Sequence, residues 1–164
     1  MDKKEIIVPD SRLNKNLLGK NVARLLSVQA LFQMEASDTS LPDILLEFEN
    51  HRLEKTFDGH IYHNPDHRLF RKILEQVIND QRKIDQLINN SLKKTWELDR
   101  IDPTLRSIFR ASTAEFLMFK TPPKVVISEF LTITQAFFPV GKEIKLVNGV
   151  LDYIINNVSS GNIK

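Results

Sequence analysis

The 164 residues suffice for one domain of ordinary size and leave no room for a second, catalytic one. Hydrophobic residues at 41% and charged residues at 27% argue for a packed core and against disorder. The absence of cysteine excludes disulfides, thiolate metal sites and thiol catalysis, and a net charge of +2 is too mild to announce a nucleic-acid binder on its own.

The chain opens with a diluted basic segment, in which Lys3, Lys4, Arg12, Lys15, Lys20 and Arg24 stand against Asp2, Glu5 and Asp10. Residues 1–16 are expected to form a flexible basic arm, and 17–160 a single helical domain. The opening lacks the apolar run of a signal peptide, and nowhere are there ~18 consecutive apolar residues. A cytoplasmic protein without membrane contact is therefore expected.

Apolar residues recur at spacings of three and four, and hairpin signals are missing, so the fold class is all-α. A first helix is predicted over about Leu18 to Glu35, with Leu18, Val22, Leu25, Leu26, Val28, Ala30, Phe32 and Met34 spread around most of its circumference. Such a helix belongs at the centre of a core. Its main polar stripe is Lys20, Arg24 and Ser27, which share one line at helical spacing.

Ser40 with Asp43, and Pro42 in the first turn, announces a second helix that buries Ile44, Leu45 and Phe48 and fades near Leu53. The stretch from Glu54 to Tyr62 loses its period and contains Asp58-Gly59, which reads as a loop. Asn64-Pro65 should cap a third helix with Leu69, Phe70, Ile73, Leu74 and Val77 inward. A fourth, from about Asp80 to Lys94, either stands alone or continues the third through a bend. Asp102 followed by Pro103 marks the start of a fifth helix carrying Leu105, Ile108, Phe109 and Phe116 inward, and Thr121-Pro122-Pro123 closes it. A sixth spans about Lys124 to Phe137 and a last one about Lys142 to Val158. About seven short helices with tight connections and no fixed repeat make a compact bundle.

Candidate chemistry is sparse. His60, His63 and His67 have spacings that could converge on a metal, but they straddle a loop and a proline, so ordinary loop and helix-start histidines are the simpler reading. The carboxylate pairs Glu47 with Glu49 and Asp99 with Asp102 are explained by helix surfaces and caps. No nucleophile elbow, dinucleotide fingerprint, P-loop or zinc-protease motif occurs, so neither an enzyme nor a cofactor is expected. The Lys20 and Arg24 stripe is either a solvated face or a phosphate contact. On the last helix Lys145 and Asn148 share a face, where lysine could meet phosphate and asparagine a base edge. The functional reading requires these cations from both ends of the chain to converge on one groove.

Several segments resemble the NusB family. Val22 to Phe32, VARLLSVQALF, is similar to the family's first helix, and Ile101 to Leu117 to its fifth, with basic residues matching at Arg106 and Arg110 and a Glu-Leu-like pair at Glu115-Phe116. Pro122 to Phe130, PPKVVISEF, and Val147 to Asp152, VNGVLD, resemble two further signatures, the second residue for residue. The resemblance implies two orthogonal three-helix units with an extra helix. It also implies a non-enzymatic adapter that binds boxA-type single-stranded RNA together with NusE, a ribosomal small-subunit protein, in the RNA polymerase antitermination complex on ribosomal RNA operons. Positions matching the RNA-contacting surface are Lys20, Arg24, Lys145 and Asn148; Gln29 lies in a matching signature, as an RNA contact or as a brace between helices.

Departures from the family pattern are informative. The run of arginines before the first helix shrinks to Lys20-Asn21-Val22-Ala23-Arg24, Lys142 replaces an acidic residue, and Leu146 replaces a base-stacking phenylalanine. Weaker or less selective boxA binding is expected. Two alternatives follow: a helical protein-interaction module with weakened RNA binding, or the RNA-binding domain of a ribosomal RNA cytosine-5 methyltransferase, whose further motifs these residues do not hold.

Overall fold

The computed structural model describes residues 15–51, 65–93 and 96–159. Within them lie seven α-helices and no strand: α1 (Lys15–Ser37), α2 (Leu41–His51), α3 (His67–Asn79), α4 (Gln81–Ser91), α5 (Pro103–Met118), α6 (Pro123–Phe137) and α7 (Glu143–Ser159). A short 3-10 turn, Leu98–Arg100, precedes α5 and had no periodic signal to announce it. The expected arm over residues 1–16 and the loop with His60 and His63 lie outside the described residues, save for the first two residues of α1.

Local chemistry sets the helix starts. Ser40 and Asp43 bond to each other as a capping pair, the Ser40 hydroxyl donating to Asp43 Oδ2 at 2.8 Å. The third helix is capped by Asp66 rather than by Asn64: its carboxylate accepts the Leu69 N–H at 2.9 Å, a contact worth about 1 kcal/mol. Asp80 ends α3 and begins α4 with φ −117° and ψ 26°, so these are two helices meeting at one residue. Asp102 accepts the Thr104 N–H at 2.7 Å, and Pro103 occupies the first turn, where its missing N–H costs nothing.

The helix at the centre is α5, in which every residue from Leu105 to Phe116 except Arg110 is buried. Helices α1, α3 and α5 pack on one another, with α2 against α1 and α3; Phe48 of α2 stacks on Phe70 of α3 at 5.4 Å between ring centroids. On the far side α4, α6 and α7 pack against α5. The two groups therefore share α5, whose apolar residues face both. Phe32, expected inward, is instead 41% exposed, because Ala23, Val28, Ala30 and Leu31 supply the buried face of α1.

Candidate nucleic-acid interface

Arg24 is not a surface cation. It is 2% exposed, and Ser27 beside it is 0% exposed with its hydroxyl bonded to the Ala23 carbonyl at 2.8 Å, so the predicted polar stripe on α1 is reduced to Lys20. A guanidinium in a core must be paired, and this one is met by the fully buried carboxylate of Glu115. Arg24 Nε donates to Oε2 at 2.8 Å and Nη2 to Oε1 at 2.7 Å, while Nη1 donates to Asn21 Oδ1 at 2.7 Å. The Thr121 hydroxyl adds a bond to Glu115 Oε1 at 2.9 Å. This network locks the first half of α1 to the end of α5 and the turn into α6. Sequence reasoning missed Glu115 as this partner; the signal it offers is a carboxylate set between Ala114 and Phe116 on a helix with apolar faces.

The other predicted contacts do not form one groove. Lys20 is exposed on the same side of α1 as Arg24, one turn earlier and so near the start of α6. Lys145 and Asn148 are both exposed on the opening turns of α7. Helix α7 runs back along α6: its Ile155 and Val158 share a cleft with Pro122 and Pro123 at the start of α6, so its beginning lies by the end of α6. The fifteen residues of α6 span about 22 Å at 1.5 Å each. Lys20 and Lys145 thus stand near opposite ends of that helix, and the expected convergence is replaced by two separate cationic points.

Gln29 is partly buried in a groove of about 570 Å³ with Val28, Phe32, Ala36, Thr104 and Phe137, an apolar setting rather than a basic one. Phe32 and Phe137 expose 41% and 39% of their surface there. Arg106 and Arg110, the basic positions of α5, are engaged with carboxylates. Arg106 pairs with Glu35 and also donates to the Leu98 and Ile101 carbonyls at 3.0 and 3.2 Å, which ties the 3-10 turn to the bundle. Arg110 bridges Asp85 at 2.9 Å and Glu35 at 3.1 Å. The Arg106 hydrogen bond holds the Glu35 carboxyl below its ordinary range, against the opposing pull of burial.

His67 is exposed at the first position of α3, and among the described residues no group of three or more histidine, aspartate or glutamate side chains is placed to hold a metal ion. Leu146 is partly buried against the core, and Lys142 is exposed before α7. Among the described residues no helix is long and apolar enough to cross a membrane.

The family model described as the NusB family matches residues 21–156. The chain belongs to the NusB family. A transcription antitermination protein NusB from Sinorhizobium medicae is 43% identical over 151 residues, covering 92% of this chain and 94% of that one. One from Brucella melitensis is 41% identical, covering 88% and 84%. Among solved structures, NusB of T. maritima superposes with a TM-score of 0.66 at 29% identity over 83% of this chain and 89% of that one. Antitermination factor NusB crystallised with NusE and double-stranded RNA gives a TM-score of 0.68 at 20% identity over 83% and 95%, a likeness of fold. The all-helical NusB-like architecture expected from the signatures is thereby established.

Proposed function

We propose that this chain is a non-enzymatic, cytoplasmic transcription antitermination factor. It binds boxA-type single-stranded RNA together with NusE within the RNA polymerase antitermination complex on ribosomal RNA operons. The observation that carries the reading is end-to-end likeness to proteins named for antitermination, 43% identical across 94% of their length. The same likeness disfavours the methyltransferase alternative. Lys20 at one end of α6, and Lys145 and Asn148 at the other, are separate surface contacts along one RNA strand in place of a single groove. Arg24 holds α1 in place beneath Lys20, and residues 17–160 act as one domain behind a basic arm. The apolar groove of Phe32 and Phe137, lined also by Gln29, is the docking face for NusE: two half-exposed phenylalanines in one cleft are the anchors a protein partner needs.

The reading with weakened RNA affinity also has specific support. Arg24 is consumed by Glu115, and Leu146 replaces an aromatic with a side chain turned partly into the core. Titration of labelled boxA RNA against the protein over a salt series, with and without NusE, tests both. A measurable affinity that falls with salt and rises with NusE is expected. No binding under either condition, at low salt, overturns the antitermination reading.

A further inference from the structure

The end of the bundle where α1, α3 and α6 begin and α5 and α7 finish carries features that no packing need explains. An open groove of about 310 Å³ is walled by Phe119, Pro122, Pro123, Ile155 and Val158 and edged by Lys120. Phe119 is 72% exposed. It caps α5 in the left-handed region, with φ 54° and ψ 26°, a position where glycine is usual and a β-carbon is strained. A bulky aromatic ring is thus held open to solvent, at a residue whose backbone would be more comfortable as glycine.

Beside it cations gather from a second helix. Lys72 on α3 is close enough to Lys120 for their charges to act on each other, and the Arg68 guanidinium, one turn earlier on α3, adds to the positive field. Contact with Lys120, then the Arg68 charge, holds the Lys72 ammonium below its ordinary range, with Glu75 opposing only in part. The Asp66 N–H donates to the Gly19 carbonyl at 2.9 Å, so the start of α3 abuts α1 just before Lys20. Like charges held together next to an exposed ring are unfavourable in the empty protein and favourable once an anion lies between them.

We propose that this corner is a nucleotide-binding site for single-stranded RNA, in which Phe119 stacks on a base while Lys120, Lys72 and Arg68 hold the adjoining phosphate. The inference rests on the RNA-binding reading above and adds a contact at the Lys20 end of the molecule, remote from Lys145. A flat apolar wall with a cationic rim matches a base joined to a phosphate, and stacking tolerates any base. A free phosphate would use the rim and leave the ring idle. In this chain Phe119 supplies the aromatic platform that Leu146 does not.

The test is fluorescence anisotropy of a labelled single-stranded boxA-type RNA with the full chain, its F119G variant and its K72Q/K120Q variant, over a salt series. Glycine adopts the left-handed conformation freely, so F119G should melt no lower than wild type, and loss of the ring should weaken RNA binding about tenfold. K72Q/K120Q should reduce the steepness of log affinity against log salt by about 1.4, and F119W should retain wild-type affinity. Wild type that binds RNA while F119G and K72Q/K120Q match it in affinity and salt slope overturns this site and leaves the antitermination reading intact. F119G that loses NusE but keeps RNA makes the groove a protein-docking surface and equally overturns the proposal. Wild type that binds no RNA overturns both.

Discussion

Arg24 and Glu115, 91 positions apart, meet side-on in the core through hydrogen bonds of 2.8 and 2.7 Å and a longer one of 3.1 Å. Their exposures are 2% and 0%, so neither charge has water to fall back on. Removing one partner strands the other, at a cost of about 3–5 kcal/mol, whereas two apolar residues of similar volume restore most of it. E115A should therefore unfold at much lower urea than wild type, and R24M/E115L close to wild type. Equal destabilisation by both variants would assign the pair no special role. An RNA defect in R24A is then to be read against its melting temperature.

The helices and the family were legible because apolar spacing, proline and aspartate caps, and the VNGVLD and PPKVVISEF segments are local signals. The site was less so. Lys20, Arg24 and Ser27 share a line on a helical projection, but a projection does not say which neighbour covers that line; here α5 does, with Glu115. The orientation of α7 against α6, which separates Lys145 from Lys20, is a tertiary fact with no counterpart in residue spacing. Phe119 carries no local signal, because an aromatic near a helix end reads as core unless its left-handed backbone is known.

Lys20 and Lys145 lie about one α6 length apart, roughly 22 Å, so their contributions to RNA binding should be independent. K20Q and K145Q are each expected to leave the melting temperature unchanged, since both residues are exposed, and to lower the salt slope by about 0.7. The free-energy losses of the double variant should add to within about 0.5 kcal/mol, as for distant sites without shared partners. A double variant no worse than either single would mean that the two residues serve one contact. Anisotropy with a boxA RNA long enough to cover both ends measures this.

Glu35 sits between Arg106 and Arg110, and its pKa is lowered from 4.5, first by the Arg106 hydrogen bond. A carboxylate with a depressed folded value contributes stability that is fully present above its unfolded pKa and lost as pH falls through the folded one. Thermal melts should therefore drop as pH is taken from about 5 downward. E35Q should have a lower melting temperature at pH 7 and a shallower acid limb, the two curves approaching each other at the lowest pH. The effect is a modest one, because Glu35 keeps 35% of its side chain in solvent. Parallel curves would place the acid sensitivity elsewhere.

Phe32 and Phe137 come from α1 and α6 and expose 41% and 39% of their surface in one groove. Their burial in the free chain is incomplete, so F32S and F137S should change stability little, whereas an aromatic anchor sealed by a partner is worth about 2 kcal/mol or more to the complex. Each substitution should therefore weaken NusE binding by at least about 30-fold. Affinity for RNA in the absence of NusE should change far less than affinity for NusE, since neither ring stands beside Lys20 or the Phe119 corner. Calorimetric titration of NusE into each variant, paired with RNA anisotropy, separates the two surfaces. A variant that loses RNA and keeps NusE would reverse the assignment of this groove.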